Sequence, residues 1–314
     1  MDKKVEKLIA QLNTVLIGKE DKINKIVANI LIGGNILLED MPGVGKTVMA
    51  KGIARSIGGE KNKPIAFSRI QATPDLLPYD ITGIDIYDTS KNKFVFKPGP
   101  VFTDILLADE LNRTTPKVQS ALLQSMAEKL VTVGNKTYEL SEMFMVIATQ
   151  NPVESEGTYP LPAAQLDRFS ICIELGYPDT DHEIEIFEKG RSEDRLSDLK
   201  PVITAAEILK IRNEIKKIEI NKKLLMVIAK ICQTTRQYEK DIRLGLSTRA
   251  GLMMIEMLKG HAYLQGRDFV TDQDIIELAE DVWAHRLILL NPQLKARELI
   301  NRTTRQLVRK LINY

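Results

Sequence analysis

Two glycines, a lysine and a threonine follow a short apolar run in LLEDMPGVGKTVMA, residues 37–50. Gly43 and Gly45 allow a tight turn in which several backbone N–H groups point into one small space. A helix that begins near Lys46 adds its positive end, and the Lys46 ammonium adds a mobile charge. The Thr47 hydroxyl can ligate Mg²⁺. The sequence therefore predicts a phosphate-binding loop between a buried strand and a helix.

One position departs from the usual spacing of such loops. Asp40 stands where the first glycine of the G-x-x-x-x-G-K-T pattern belongs. A carboxylate at this position must point away from bound phosphates, because the two anions repel each other. The alternative is an ordinary glycine-rich turn, but the strand before it and the helix after it are the context that a phosphate loop requires.

A pair of carboxylates ends the apolar run of ILLADELNR, residues 105–113. Asp109 is suited to hold Mg²⁺ through water, because this ion prefers oxygen ligands. Glu110 can polarise a water molecule for attack on a γ-phosphate. Two solvated acids at a strand end are the plain alternative, and the phosphate loop earlier in the chain favours the catalytic interpretation.

Three more polar residues are candidates for the same chemistry. Asn151 follows the apolar run MVIATQ and can hold the attacking water or a γ-phosphate oxygen, although Asn after a strand is usually a turn former. Arg168 is predicted on the next helix, where a surface ion pair is the alternative role. Arg249 lies in the first turn of a helix capped by Ser247, an unfavourable place for a cation unless an anion is near. A solvated arginine is the alternative there.

Composition limits the class of protein. The 44 basic and 42 acidic residues give a net charge of +2, and with 5% aromatic residues this makes nucleic acid an unlikely partner. No apolar run reaches the length of a membrane span, and no secretory signal is visible at the amino terminus. Cys172 and Cys232 have no metal-type spacing and fit a reducing compartment. We therefore expect a cytoplasmic protein.

The hydrophobic pattern divides the chain into two parts. Short apolar runs alternate with helical patterns and predict parallel strands at residues 36–39, 65–70, 105–109, 144–149 and 171–175. Beyond residue 178 only helical patterns recur, at residues 205–217, 222–238, 247–265, 272–283 and 295–312. We expect an α/β nucleotide-binding domain (1–178), a connecting segment (179–204) and an all-helical domain (205–314).

Two segments interrupt the α/β rhythm with alternating patterns around polar turns. These segments, residues 83–100 and 131–140, are predicted to be β-hairpins. The simplest interpretation is that they are ordinary surface hairpins. The functional interpretation is that they contact a molecule outside the nucleotide pocket.

Four motifs in order carry a resemblance to a known family. LLEDMPGVGKT, ILLADELNRTTPKVQSALL, ATQNPVESEGTYPLPAAQLDRF and GLSTRA resemble the motifs of AAA+ ATPases. RIQATPDLLPYDITG, residues 69–83, narrows the resemblance to the MoxR family, in which Asp40 is also found. The resemblance spans residues of about 15 to 290 and implies a P-loop NTPase fold: a parallel five-stranded sheet, order 5-1-4-3-2, followed by an all-helical lid.

The resemblance also implies roles for individual residues. The implied catalytic residues are Glu110 of Walker B, Asn151 as sensor 1, Arg168 as arginine finger and Arg249 as sensor 2 on the lid. The implied nucleotide-binding residues are Ile17, Gly18, Pro42, Gly43, Val44, Gly45, Lys46, Thr47, Val48 and Asp109. Thr47 and Asp109 would hold Mg²⁺, the latter through water, and Ile17 and Gly18 would lie near the adenine of ATP. Ala163 stands where the family pattern leads us to expect a glutamate.

The expected function follows from these roles. The resemblance implies an ATP-hydrolysing, chaperone-like protein that forms a ring, most often a hexamer. Such a protein matures or remodels a partner complex, together with a protein that contains a von Willebrand factor A domain. Two alternatives are a nucleic-acid motor on the same scaffold and a nucleotide-switched scaffold with little turnover. Near-neutral charge disfavours the first, and an intact Asp109 and Glu110 disfavour the second.

Overall fold

A parallel sheet lies at the centre of the amino-terminal part of the protein. The computed structural model describes residues 2–41, 43–59, 63–152, 157–238 and 240–312. The sheet consists of β1 (Ile36–Glu39), β2 (Phe67–Gln71), β3 (Ile105–Asp109), β4 (Met145–Gln150) and β5 (Ile171–Ile173). All neighbouring strands are parallel, in the spatial order β5-β1-β4-β3-β2. The predicted order 5-1-4-3-2 is confirmed, with strand bounds that differ from the prediction by at most two residues.

Each face of the sheet carries its own hydrophobic core, because successive side chains of a strand point to opposite sides. In β1, Ile36 and Leu38 belong to one core and Leu37 to the other. In β3, Leu107 joins the first core and Leu106 the second. Every residue of β3 is buried, as is typical of a parallel strand covered by helices on both faces.

Six helices accompany the sheet strands in the first part of the chain. They are α1 (Lys3–Val15), α2 (Glu20–Ile32), α3 (Lys46–Ser56), α4 (Pro78–Thr82), α5 (Pro116–Glu128) and α6 (Ala163–Leu166). The Asp2 carboxylate caps α1 by accepting a hydrogen bond from Lys4 N at 2.6 Å. Gly33, with φ of 79°, ends α2 in the left-handed conformation that glycine adopts without strain.

Both predicted hairpins are present and pack against each other. The first hairpin pairs Gly83–Asp88 with Lys93–Pro98, and the second pairs Leu130–Val133 with Lys136–Glu139. Phe96 of the first hairpin stacks on Tyr138 of the second, with ring centroids 4.2 Å apart. Phe94 at the far end of the first hairpin is 70% exposed and touches Tyr87 edge to face. The two hairpins are therefore packed against each other, and the first carries an exposed apolar side chain near its tip.

The segment predicted to connect the two domains is itself structured. It contains α7 (Thr180–Lys189) and α8 (Ser192–Arg195). Ile203–Thr204 then pairs in parallel with Ile57–Gly58, directly after α3. The segment is therefore tied to the α/β part by backbone hydrogen bonds, and the domain boundaries at 178 and 204 stay a prediction.

Five helices make up the rest of the chain and match the predicted helical segments. They are α9 (Ala205–Ile215), α10 (Lys222–Gln237), α11 (Thr248–Leu264), α12 (Asp272–Trp283) and α13 (Ala296–Ile312). One short antiparallel pair, Ile242–Leu244 with Ile288–Leu289, accompanies them. The buried Trp283 donates its indole N–H to Ala250 O at 3.1 Å and so joins α12 to α11. Across the described ranges, no helix combines the length and apolarity that crossing a membrane requires.

Candidate active site

A cavity of about 310 Å³ opens where the carboxyl ends of the central strands meet. Because parallel strands all end at the same edge of a sheet, residues that follow β1, β3 and β4 are brought together there. The lining residues are Gly43, Gly45, Lys46, Thr47, Val48, Asp109, Glu110, Asn151, Ser192 and Glu193. The first eight of these were predicted from the sequence as nucleotide-binding or catalytic residues.

The glycine-rich loop has the backbone conformation that an anion cradle needs. Gly43 and Gly45 have φ values of 87° and 94°, in the left-handed region that glycine adopts readily. A Cβ at Gly43 would meet no atom within 4 Å, so the loop backbone faces open space at that point. Helix α3 begins directly after Gly45, at Lys46, and presents its N-terminal end to the cavity. Pro42 lies outside the described residues.

Val44 and Val48 anchor the loop, since both side chains are buried in the hydrophobic core that also contains Ile36 and Leu38. Lys46 Nζ donates a hydrogen bond to the backbone carbonyl of Asp40 at 2.8 Å. The Lys46 side chain therefore connects the start of α3 to the residue that follows β1.

Asp40 points away from the loop, as the sequence required. Its carboxylate is buried and accepts hydrogen bonds from Leu175 N at 2.5 Å and Gly176 N at 3.0 Å. These amides follow β5, so Asp40 joins the end of β1 to the end of the neighbouring strand. The side chain at the position that usually holds a glycine thus binds the backbone at the end of β5, an edge strand of the sheet.

Asp109 is held in one orientation by two neighbouring strands. Its Oδ2 accepts from Arg69 Nη2 of β2 at 2.6 Å, and its Oδ1 accepts from Thr149 Oγ1 of β4 at 2.6 Å. The same Thr149 oxygen accepts from the backbone N–H of Glu110 at 2.8 Å. Thr149 and Arg69 fix the acid pair, and the sequence reasoning missed both of them.

Glu110 is constrained by both its backbone and its side chain. Its φ of 56° places it in the left-handed region, which is uncommon for a residue with a side chain and occurs often at functional sites. Its Oε2 accepts from Gln71 Nε2 at 3.2 Å and pairs with Arg113 Nε at 3.0 Å. A water-activating role for this carboxylate requires that it leave one or both of these partners.

Asn151 comes directly after β4 and is buried at the wall of the same cavity. Ser192 and Glu193 of α8 close the cavity from the segment that the sequence marked only as a polar linker. No sequence signal pointed to them, because polar residues in a linker are expected to face solvent.

A second cavity of about 270 Å³ adjoins the first and shares Gly43, Gly45 and Ser192 with it. Ile17 lines this cavity, as predicted for a residue near the base. Gly18 does not line it, and a Cβ at Gly18 would lie 2.7 Å from His182 Cγ of α7. Gly18 therefore allows the α1–α2 turn to approach α7 closely.

Sequence reasoning missed the opposite wall of the second cavity. This wall contains Tyr177, Pro178, Ile186 and Phe187. Tyr177 is 65% exposed and Phe187 is 76% exposed, which is unusual for aromatic side chains unless a ligand or partner covers them. Their signal in the sequence was their position after β5, beside the loop end that Asp40 binds.

Arg168 and Arg249 lie outside both cavities. Arg168 was predicted on a helix, but α6 ends at Leu166 and Arg168 lies in the turn that leads to β5. Arg249 is exposed in the first turn of α11, as predicted. No described residue forms an ion pair or side-chain hydrogen bond with either guanidinium. Neither arginine therefore completes the cavity of its own chain in this structure.

The contacts of Asp167, the residue before Arg168, explain where Arg168 lies. Asp167 accepts hydrogen bonds from Ser247 Oγ, the N-cap of α11, at 3.0 Å and from Arg286 Nε at 2.9 Å. Arg286 is buried, and burial lowers its pKa to about 10. These bonds tie the end of α6 to the start of α11, so Arg168 and Arg249 lie on one junction. Ala163, the position of the expected glutamate, lines a further cavity at this junction.

We expect Asp40→Ala to lower the free energy of unfolding by roughly 2–4 kcal/mol, because one buried and one partly buried N–H group lose a charged acceptor. Asp40→Asn keeps one acceptor oxygen and should lose about half as much. Denaturant unfolding of both variants beside the wild type measures this. Equal unfolding free energies for Asp40→Ala and the wild type would show that the capping bonds contribute nothing.

Comparisons with known proteins agree with this geometry. Residues 35–171 match the model of the ATPase family associated with various cellular activities (AAA), and residues 236–311 match the AAA lid domain. The uncharacterized protein YeaC of Bacillus subtilis is 42% identical over 92% of this chain and 88% of its own. The protein named Chaperone MoxR1 of Mycobacterium tuberculosis is 37% identical over 91% of this chain and 76% of its own.

A solved structure from Cytophaga hutchinsonii, assigned as an ATPase, has a TM-score of 0.85 and 39% identity. It covers 96% of this chain, and this chain covers 94% of it. The parallel sheet, the helical lid and the degree of identity to MoxR proteins together identify the chain as a member of the MoxR family of AAA+ ATPases.

Proposed function

We propose that the protein binds ATP with Mg²⁺, hydrolyses it to ADP and phosphate, and uses the cycle to remodel or mature a partner protein complex. One observation carries the enzymatic part of this proposal. A glycine-rich loop at a helix N-terminus, two carboxylates and a buried asparagine, drawn from separate parts of the chain, line one cavity. This set has the parts that phosphoryl transfer to water requires.

The residues present fit both the nucleotide and the ion. The left-handed Gly43 and Gly45 and the N-terminus of α3 suit the phosphates, and the aromatic and aliphatic walls of the second cavity suit the base. Thr47 and Asp109 supply the oxygen donors that Mg²⁺ prefers, Asp109 through water. When bound, Mg²⁺ would neutralise part of the phosphate charge.

The roles of the individual residues follow from their partners. Lys46 exchanges the Asp40 carbonyl for the β- and γ-phosphates, which are stronger acceptors for an ammonium. Glu110 takes a proton from the attacking water after its carboxylate leaves Gln71 or Arg113. Asn151 orients that water or a γ-phosphate oxygen. Arg69 and Thr149 keep Asp109 directed at the cavity throughout.

We expect Lys46→Ala to lose ATP binding, because Lys46 is the only cation among the described residues that line the phosphate cavity. We expect Glu110→Gln to keep binding and lose hydrolysis, because only the attacking water is affected. Fluorescent-nucleotide titration and phosphate release measure the two properties. Lys51→Ala on the same helix and Glu128→Gln are matched controls that should behave as wild type. Equal nucleotide affinity in Lys46→Ala, or undiminished turnover in Glu110→Gln, would contradict the assignments.

We further propose that the active form is a ring, most simply a hexamer, in which Arg168 reaches the site of the next subunit. Arg168 and Arg249 lie at one junction, outside the chain's own cavity, and have no described partner. The transition state of phosphoryl transfer needs additional positive charge, and a neighbour can supply it. Arg249, which lies at the same junction, would be the sensor 2 residue of the lid.

We expect Arg168→Ala to bind ATP but to turn over roughly 10³–10⁵-fold more slowly, the usual contribution of an arginine finger. Mixing Arg168→Ala with Lys46→Ala should restore part of the activity, because some interfaces then pair an intact cavity with an intact Arg168. Mixed assembly is verified first, by native mass spectrometry of differently tagged chains. No recovery in a demonstrably mixed assembly would contradict action across the interface, and wild-type turnover in Arg168→Ala would contradict the role itself.

The hairpins are the proposed contact for the client, with a von Willebrand factor A domain protein as the expected partner. Ile84, Ile86 and Phe94 of the first hairpin are between 41% and 70% exposed and add nothing to the buried core. Exposed apolar side chains grouped on one projection are typical of a protein-binding surface.

We expect Phe94→Ser to reduce partner capture by ATP-bound Glu110→Gln protein without lowering its melting temperature, because Phe94 is not buried. The capture is performed in lysate of the source cell and read by mass spectrometry, with Phe269→Ser as a control at another exposed phenylalanine, outside the hairpins. A large fall in melting temperature would point to a structural role, and unchanged capture would exclude Phe94 from the contact.

One observation favours the alternative of a nucleic-acid motor. Arg302, Arg305, Arg309 and Lys310 form an exposed cationic ridge along α13. The ridge has no interleaved aromatic side chain on which a base could stack. Turnover of the wild type with and without DNA separates the two functions, because a motor is stimulated by its track and a protein-remodelling ATPase is not.

The two buried free cysteines fit the proposed cytoplasmic location.

A further inference from the structure

The carboxyl-terminal helices hold a second cluster of chemically active side chains. His261 of α11 faces Asp274 and Glu277, which lie one turn apart on α12. One ligand atom from each of the three residues lies within 4.8 Å of the other two. None of the three lines either nucleotide cavity, so the proposed ATPase does not use them.

His261 is the unsatisfied member of this cluster. Its side chain is only 8% exposed, and Nδ1 is buried without a partner among the described residues. Nε2 faces two carboxylates, at 3.4 Å from Glu277 Oε2 and 3.6 Å from Asp274 Oδ1, and hydrogen-bonds to neither. Buried polar atoms are normally hydrogen-bonded, and a cation between Nε2 and the two carboxylate oxygens would supply the partner that these separations leave out.

The two separations from Nε2 are longer than hydrogen bonds and close to those between ligands of one metal ion. A charge-assisted N–H···O bond measures about 2.7–2.9 Å, well below the two distances from Nε2. Ligand atoms that lie about 2.0–2.1 Å from a tetrahedral Zn²⁺ are about 3.3–3.4 Å from each other. The observed 3.4 Å and 3.6 Å match the edges of such a tetrahedron.

The carboxylates are set in place by neighbouring side chains. Arg267 holds both oxygens of Asp274, and Thr271 N donates to Oδ2, so Oδ1 keeps one acceptor position toward His261. Gln273 donates to Oε1 of Glu277 at 3.1 Å and leaves Oε2 for the cluster. Orienting bonds of this kind around the ligands are characteristic of metal sites.

We propose that His261 Nε2, Asp274 Oδ1 and Glu277 Oε2 form a Zn²⁺ site that links α11 to α12, with water as the fourth ligand. A mixed set of one imidazole and two carboxylates suits Zn²⁺ rather than Mg²⁺, which takes oxygen ligands and keeps several waters. None of the three ligands lines the proposed nucleotide pocket, so the Zn²⁺ site can be tested independently of the ATPase activity.

The test is Zn²⁺ titration of chelator-stripped, tag-free, full-length protein by calorimetry, without nucleotide. The wild type should bind one Zn²⁺ per chain, and Co²⁺ in its place should give the visible absorption of a tetrahedral complex. Glu277→Gln should weaken binding at least ~10-fold, since even loss of an orienting partner costs that much. Glu277 is 45% exposed on its side chain, so this variant should fold normally.

Asp272→Asn is the matched control, because it removes the same charge from the same helix without removing a ligand. It should bind Zn²⁺ as the wild type does, whereas His261→Gln should not bind it. Zn²⁺ should also raise the melting temperature of the wild type and of Asp272→Asn but not of His261→Gln. Absence of binding in the wild type, or equal affinity in the wild type and His261→Gln, would overturn the site and leave a histidine beside two carboxylates.

Discussion

The hydrogen bonds between the Asp40 carboxylate and the backbone after β5 set the geometry of the whole nucleotide site. They fix the end of β1, from which the glycine-rich loop departs, and the end of β5, from which Tyr177 and Pro178 depart. The loop forms one side of the site and the aromatic wall forms the other. A glycine at position 40 would leave the two amides without this acceptor. The acidic residue that seemed least compatible with phosphate binding therefore joins the glycine-rich loop to the aromatic wall.

The acid pair depends in turn on a second set of bonds that runs across three strands. Arg69 and Gln71 share one face of β2, because residues two apart in a strand point the same way. Arg69 binds Asp109 and Gln71 binds Glu110, while Thr149 of β4 contacts both acids from the other side. Along the chain, the first hairpin lies between β2 and β3, the two strands that carry Arg69, Gln71 and Asp109.

The sequence predicted best those features that depend on local pattern or on strand ends. The buried strands and the glycine-rich loop have local signatures, and a parallel sheet then brings Asp109, Glu110 and Asn151 to one edge. Partners that come from distant segments left no signal: Arg69 and Thr149 are ordinary strand residues, and Ser192 belongs to a polar stretch. Their roles depend on tertiary contacts, which a single sequence does not encode in any local period. Arg168 was misplaced on a helix because the turn after Leu166 is fixed by the bonds of Asp167 to α11 and Arg286.

The same junction constrains how the lid can act. Asp167 binds the cap of α11 and the buried Arg286, and Arg286 also donates to the backbone carbonyls of Phe169 and Ser170, just before β5. Breaking these contacts would leave Arg286 as an unpaired buried charge, which is strongly unfavourable. The end of α6 and the start of α11 should therefore move together, and Arg168 and Arg249 with them. In the proposed ring, movement of one lid would then shift Arg168 and Arg249 together, which would couple the nucleotide state of one subunit to the turnover of the next.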